Sequence, residues 1–139
     1  MSLSSDFEEK RVLKPSIDKE RRSYPRAYLD LPVEFKVMGF PFPHGGIAIN
    51  GSEVGLLLHA LREMPLGTRL DITVIFANGF ELGSFDLFGE IVRRDSRREG
   101  QVGLHYGLRM IRISEENRLK FRYVLSGLHE LLDRGTMIY

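Results

Sequence analysis

Apolar and polar residues alternate along most of the chain between residues 31 and 113. Such alternation is typical of β-strands that have one buried face. The first strand is predicted from Leu31 onward, and Asn78-Gly79 predicts a tight hairpin turn later in the chain. We therefore expect six strands, at about residues 31–37, 47–49, 54–59, 70–76, 80–94 and 101–113, with the last two paired as a hairpin.

Within the fifth predicted strand the apolar positions change phase. Phe80 and Leu82 occupy even positions, whereas Phe85 and Leu87 occupy odd ones. A β-bulge inserts one extra residue and changes the side-chain alternation in this way. We therefore expect a bulge, or a corner of a curved sheet, near Gly83-Ser84.

Only the last segment has helical periodicity. Ser114 is a predicted N-cap, Glu115 and Glu116 suit the positive end of the helix dipole, and Gly135 is a predicted stop. One face of this helix carries the apolar residues Phe121, Val124, Leu125, Leu128, Leu131 and Leu132. Six short strands and one amphipathic helix predict a mainly β fold, a small antiparallel barrel with a C-terminal α-helix that covers one end or packs outside.

The first 27 residues differ from the rest and are predicted to form a tail. They contain seven basic and five acidic residues, and Pro15 interrupts their few apolar positions. A short helix and an unstructured arm both fit this composition. We expect a flexible N-terminal arm over residues 1–20 and one domain over residues 21–135, with its barrel at about 28–113 and its helix at about 114–134.

Length and composition limit the protein classes. A chain of 139 residues predicts one domain, and 20 basic against 19 acidic residues give a net charge of +1, which excludes an overall polycation. With no cysteine, disulfides, zinc ribbons, iron–sulfur centres and catalytic thiols are excluded. No apolar run approaches the roughly 20 residues of a membrane span, and no signal peptide is predicted. We expect a cytoplasmic protein.

The sequence offers no catalytic constellation. Its four histidines are scattered, and none has a second ligand or an acid at metal-site or triad spacing: His44, His59, His105 and His129. A phosphate-binding Walker loop, a dinucleotide-binding glycine fingerprint and a nucleophile elbow are also absent. We expect neither an enzyme nor a metal site.

An arginine cluster lies where the tail meets the predicted barrel. It reads Arg21-Arg22-Ser-Tyr-Pro-Arg26. Guanidinium groups form paired hydrogen bonds to phosphate oxygens and to the O6/N7 edge of guanine, and they stack on flat rings. The cluster is therefore suited to binding a guanine nucleotide, although a solvated basic turn or a non-specific basic arm has the same sequence character.

A second polar segment, Asn50-Gly-Ser52-Glu-Val-Gly55, interrupts the strand-rich region. Asn50 can donate to and accept from a base edge, and Ser52 can bind a phosphate. Gly55 has no Cβ, so either a flat ligand or a neighbouring backbone can approach it closely. An Asx-type turn followed by a bulge glycine explains the same residues without a ligand.

Taken together, the two segments resemble the signature of the PilZ family. That signature is Arg-x-x-x-Arg followed by (Asp/Asn)-x-Ser-x-x-Gly, and the residues that fill it here are Arg22, Arg26, Asn50, Ser52 and Gly55. The later segments Gly89-Glu-Ile-Val, Tyr106-Gly107-Leu-Arg-Met110 and Ser114-Glu-Glu-Asn-Arg resemble the family's last two strands and the start of its C-terminal helix. The resemblance implies a cytoplasmic bacterial receptor for cyclic di-GMP with a six-stranded barrel.

The resemblance also implies roles for these residues. Arg22 and Arg26 would bind phosphate and the guanine Hoogsteen edges, Asn50 the guanine amino edge, and Ser52 a phosphate. Asn50 offers one acceptor oxygen where aspartate offers two, so weaker binding is expected. In PilZ domains a basic residue before the first motif arginine, here Arg21, accompanies two ligand molecules per protomer. Binding would order the arm and present a new surface to a downstream protein partner.

Two alternatives come from other functional classes. The first is a PilZ-like protein–protein interaction module that binds no nucleotide, although the intact arginine pair argues against it. The second is a small-barrel nucleic-acid binder, which the net charge of +1 and the lack of an aromatic stripe disfavour. We therefore expect cyclic di-GMP as ligand, no other cofactor, no nucleic acid and no membrane span. The sequence leaves the downstream output and a homodimer open.

Overall fold

Six antiparallel strands close into a barrel in this computed structural model, which describes residues 25–95, 100 and 102–127. The strand order around the barrel is β1-β2-β3-β6-β5-β4. The predicted six-stranded barrel with a C-terminal helix is confirmed, and its elements are β1 (Ala27–Val37), β2 (His44–Ser52), β3 (Gly55–Ala60), β4 (Arg69–Asn78), β5 (Glu81–Arg94), β6 (Leu104–Arg112) and α1 (Glu115–Ser126).

Alternate side chains from all six strands fill the barrel interior, as period-two patterning requires. β5 and β6 pair as the predicted hairpin, while β4 pairs with β1 and thereby closes the sheet on itself. Closure leaves no unpaired strand edge. The buried apolar side chains from the strands include Val33, Phe35, Ala48, Leu56, Leu58, Ile72, Val74, Phe85, Leu87, Tyr106 and Leu108.

Each end of the barrel is covered differently. At one end the segment between β3 and β4 crosses the opening and buries Met64. The Tyr106 hydroxyl holds this segment, because it donates to the Arg62 carbonyl oxygen at 2.8 Å and accepts from the Met64 amide at 3.0 Å. At the other end α1 buries Phe121 and Val124 against the core. The helix therefore covers one end of the barrel, one of the two placements that the sequence left open.

The prediction of a bulge near Gly83-Ser84 is wrong. β4 and β5 pair in regular register through this region, with Phe76 opposite Gly83 and Ile75 opposite Ser84. The phase change arose from treating Phe80 and Leu82 as core residues, but they are 92% and 79% exposed. The irregularities in β5 face β6 instead and lie between residues 88 and 89 and between 91 and 93.

β1 begins at Ala27, four residues before the alternation that was predicted to start the first strand. Leu29 is already buried in the core. The register between β1 and β2 shifts between Tyr28 and Leu31, where Asp30 has a φ of 53°. This left-handed residue forms a bulge, so the strand's first part pairs with β2 out of step with the rest.

α1 begins as predicted, and its described part ends at the Gly127 cap. The Ser114 side chain accepts from the Asn117 amide at 3.1 Å, which confirms the N-cap. Gly127 ends the helix in the left-handed conformation, φ 78°, and its amide donates to the Val124 carbonyl oxygen. Glycine at a helix end favours this left-handed cap. The expected continuation of the helix to residue 134 lies outside the described residues. The expected stop at Gly135, the apolar positions 128, 131 and 132, and the N-terminal arm lie outside the described residues.

Candidate ligand-binding site

The structure brings the two polar motifs into direct contact. Arg26 lies immediately before β1, and its Nε donates to Asn50 Oδ1 at 2.8 Å. The contact follows from the strand register, since Tyr28 pairs with Asn50 and Ala27 with Gly51. Residues 24 positions apart in sequence therefore share one edge of the barrel surface.

A groove of about 330 Å³ begins at this contact and crosses the outer surface of the barrel. A single row of residues in register runs beneath it, with Asn50 opposite Leu57, Leu57 opposite Gly107 and Gly107 opposite Arg93. Gly107 has no side chain, so the middle of the row is low. Arg26 and Asn50 form one wall of the groove and Arg93 forms the other.

Arg93 is the residue of this groove that the sequence analysis missed. Its position in the charged segment at the end of β5 resembled ordinary solvated surface. The irregularity between Ile91 and Arg93 places Arg93 opposite Gly107, where a Cβ added at Gly107 would lie 3.2 Å from Arg93 Cβ. Arg93 Nε lies 3.6 Å from Asp95 Oδ1, and both side chains are at least half exposed. Gly107, a glycine within the alternating pattern of β6, was the available sequence signal that a neighbour approaches closely there.

Ser52 and Gly55 shape the turn between β2 and β3. Ser52 is 1% exposed, and its Oγ accepts from the Val54 amide at 3.3 Å. A Cβ at Gly55 would clash with the Leu108 carbonyl oxygen on β6. A neighbouring backbone, one of the two alternatives considered for Gly55, therefore occupies the space beside it. Ser52 and Gly55 pair with each other in the same β2–β3 ladder that sets Asn50 opposite Leu57.

A second cavity, of about 430 Å³, lies on the other side of Arg26. It is bordered by Pro25, by Glu53 in the β2–β3 turn and by Arg122 on α1. Arg122 Nε lies 3.2 Å from Glu53 Oε1 and donates to it, which ties the helix to the second motif. Arg21 and Arg22 of the first motif lie outside the described residues.

Neither a metal cluster nor a membrane span is found in the ranges that the structure describes. No three histidine or acidic side chains there are placed to hold a metal ion. No helix among those residues is both long and apolar enough to cross a bilayer.

The closed barrel, its helical cover and the outer groove define a small β-barrel domain with a polar surface site. The family model of the PilZ domain matches residues 20–126 of this sequence. The chain therefore belongs to the PilZ family, as its two motifs indicated. No curated protein sequence matches it at a significant level.

Three solved structures share the fold at low sequence identity. The PilZ domain of Escherichia coli YcgR with c-di-GMP has a TM-score of 0.62 at 15% identity, covering 84% of this chain and 97% of that one. YcgR in complex with c-di-GMP gives 0.57 at 14%, covering 86% and 51%. The Bacillus subtilis inhibitor of motility MotI (DgrA) gives 0.61 at 14%, covering 76% and 48%. The match thus spans about half the length of MotI and of the longer YcgR structure.

Proposed function

We propose that this protein is a cyclic di-GMP receptor that catalyses no reaction and acts in the cytoplasm. The observation that carries the proposal is the Arg26–Asn50 contact, which joins the two family motifs at the edge of a groove. Membership of the PilZ family supports it, as does the similarity to a YcgR domain that was solved with c-di-GMP.

The side chains at the groove are suited to a cyclic guanine dinucleotide. Arg26 would bind a phosphate or a guanine Hoogsteen edge through its planar guanidinium. Asn50 Oδ1 has two lone pairs, one of which accepts from Arg26, so the other can accept from a guanine amino group. Arg93 would bind a phosphate from the opposite wall in exchange for Asp95. Leu57 and Gly107 form a floor over which a flat base can lie.

Arg26→Ala should weaken cyclic di-GMP binding roughly 10- to 100-fold, about 1.5–3 kcal/mol, because a charge-assisted hydrogen bond is lost. Arg26 is exposed, so the melting temperature should stay nearly constant. Calorimetric titration with cyclic di-GMP measures the affinity. Arg93→Ala should also weaken binding, whereas the matched control Arg69→Ala, an exposed arginine on β4 away from the groove, should bind as the wild type.

The same titration separates the alternatives. A wild type that binds no cyclic di-GMP would contradict the proposal and favour the protein–protein interaction module. Binding of an oligonucleotide at least as tight would favour the nucleic-acid reading. If Arg26→Ala binds as tightly as Arg69→Ala does, the groove at Arg26 is not the site.

We further propose that each protomer binds two cyclic di-GMP molecules, with Arg21 supplying the additional positive charge. A third guanidinium near Arg22 and Arg26 can bond or stack on the second ligand's guanine. Arg21→Leu should therefore reduce the stoichiometry from two to one and keep the first molecule bound. Titrations at low and high salt should also show a steep loss of affinity. Wild-type saturation at one molecule per chain would contradict the stoichiometry and leave the receptor proposal intact.

Finally, we propose that binding orders the segment around Arg21–Arg26 and alters the surface offered to a protein partner. The Arg122–Glu53 ion pair joins the second motif to α1, so a rearrangement at the motif can reach the helix surface. Amide hydrogen exchange at residues 21–26 should slow on addition of cyclic di-GMP, with β4 as the unchanged reference. Equal amide hydrogen exchange with and without cyclic di-GMP would contradict the proposed ordering of this segment. The proposal holds for a monomer and for a homodimer.

A further inference from the structure

Two histidines that are distant in the sequence form a pair on the barrel surface. His59 on β3 lies directly opposite His105 on β6. Their ring centroids are 5.2 Å apart, with an angle of 80° between the rings. Their strand neighbours Leu58 and Tyr106 point into the core, so alternation places both imidazoles on the outer face. In the sequence neither histidine has a second ligand at metal-site spacing, because the pairing of β3 with β6 is what brings the two together.

The His59 ring carries an unsatisfied polar atom. Its Nδ1 is buried and is the one buried side-chain nitrogen or oxygen without a hydrogen-bond partner within the described ranges. Buried polar atoms are nearly always paired, and a group bound at Nδ1 would pair this one. Gly103, at φ 84°, leaves room for the ring, since a Cβ there would lie 2.8 Å from His59 Cε1.

We propose that His59 and His105 bind a divalent transition-metal ion of the zinc or copper type. Imidazole nitrogens are the preferred ligands of these ions. Two imidazoles that bind one tetrahedral ion at 2.0–2.1 Å have ring centres about 5 Å apart. The observed spacing of 5.2 Å matches this value, so the two rings already lie at the separation that one shared ion requires.

We expect Asp95 to move in as a third ligand. Its amide donates to the His105 carbonyl oxygen at 3.0 Å, which puts it beside His105 on the neighbouring strand. Its carboxylate lies near Arg93, two residues earlier on the same face, and is 50% exposed. Since no three ligating groups already converge among the described residues, the ion would draw Asp95 away from Arg93, and water would complete the coordination.

The histidine pair borders the groove, and neither histidine lines it. His59 follows Leu57 by two residues on β3, and His105 precedes Gly107 by two residues on β6. Each histidine is therefore about 7 Å along its strand from the groove. Cyclic di-GMP is not needed for metal binding. The metal experiment can therefore fail while the receptor proposal stands, and the reverse also holds.

The test uses the untagged full-length chain without nucleotide. Calorimetric titration with zinc chloride should show one ion per chain. His59→Ala and His105→Ala should each lower the affinity at least about 100-fold, the upper end of what loss of a supporting partner costs. His44→Ala should have no effect, because that ring packs against Phe35 and not against the pair.

Copper provides a second measurement that does not depend on a variant's stability. Electron paramagnetic resonance of the wild type with one equivalent of Cu²⁺ should show two imidazole nitrogens, and each folded single variant should show one. In the wild type, Zn²⁺ should also shift the imidazole proton resonances of His59 and His105 but not those of His44. Zinc affinity that is equal in wild type and both variants, or imidazole resonances that do not move, would overturn the proposal.

Discussion

Replacing Phe121 with alanine should lower the free energy of unfolding by about 3–5 kcal/mol. Phe121 is 2% exposed and lies on the helix face that covers one end of the barrel. Its ring stacks on Phe85 of β5, with centroids 4.8 Å apart and an angle of 24°. The substitution removes this ring and leaves a cavity that the strands of a closed barrel cannot collapse to fill. Urea denaturation followed by circular dichroism measures the loss.

Leu119→Ala is the matched control on the same helix. Leu119 is 57% exposed, so its truncation should change stability by no more than about 0.5 kcal/mol. A Phe121→Ala protein that is as stable as the Leu119→Ala protein would show that the helix does not cover the barrel in solution. The receptor proposal would be unaffected, because the groove lies on the strands.

Gly55→Ala should destabilise the protein by about 3 kcal/mol, at the upper end of the usual cost of overpacking. The new methyl group would clash with the Leu108 carbonyl oxygen. This atom belongs to the backbone of β6 and cannot move aside as a side chain can, so β3 and β6 must separate locally. The same displacement should shift the turn that holds Asn50 and reduce cyclic di-GMP affinity. Thermal unfolding and calorimetry measure the two effects.

Gly45→Ala is the control for this substitution. Gly45 lies near the start of β2, and nothing lies within 4 Å of a Cβ added there. Its replacement should leave the melting temperature nearly unchanged. If Gly55→Ala melts at the same temperature as Gly45→Ala, that result contradicts the close approach of the β6 backbone to Gly55. If it melts lower and binds normally, the glycine of the motif serves the fold alone.

Local patterns determined the elements of this protein and its family. Period-two alternation predicted the strands, because one face of each strand must be buried while the other meets water. The Ser114 cap could be read directly, since an N-cap contact spans only three residues, here to Asn117. The spacing of the two polar motifs indicated the PilZ family before any contact between them was known. Local patterns misled at Phe80 and Leu82, where apolar residues are exposed, and at the start of β1, which the alternation placed at Leu31 and not at Ala27.

Barrel closure decided what these patterns could not. Register alone sets which outward-facing residues become neighbours, and register depends on bulges at Asp30 and before Arg93 that have no local sequence signature. It is register that brings Arg26 to Asn50 and places Arg93 across the groove from them. The histidine pair arises in the same way, because it depends on the pairing of β3 with β6, two strands far apart in the chain. The sequence by itself therefore determined the strands, the helix start and the family. Only the tertiary structure decided which side chains share a site, since that depends on contacts between strands far apart in the chain.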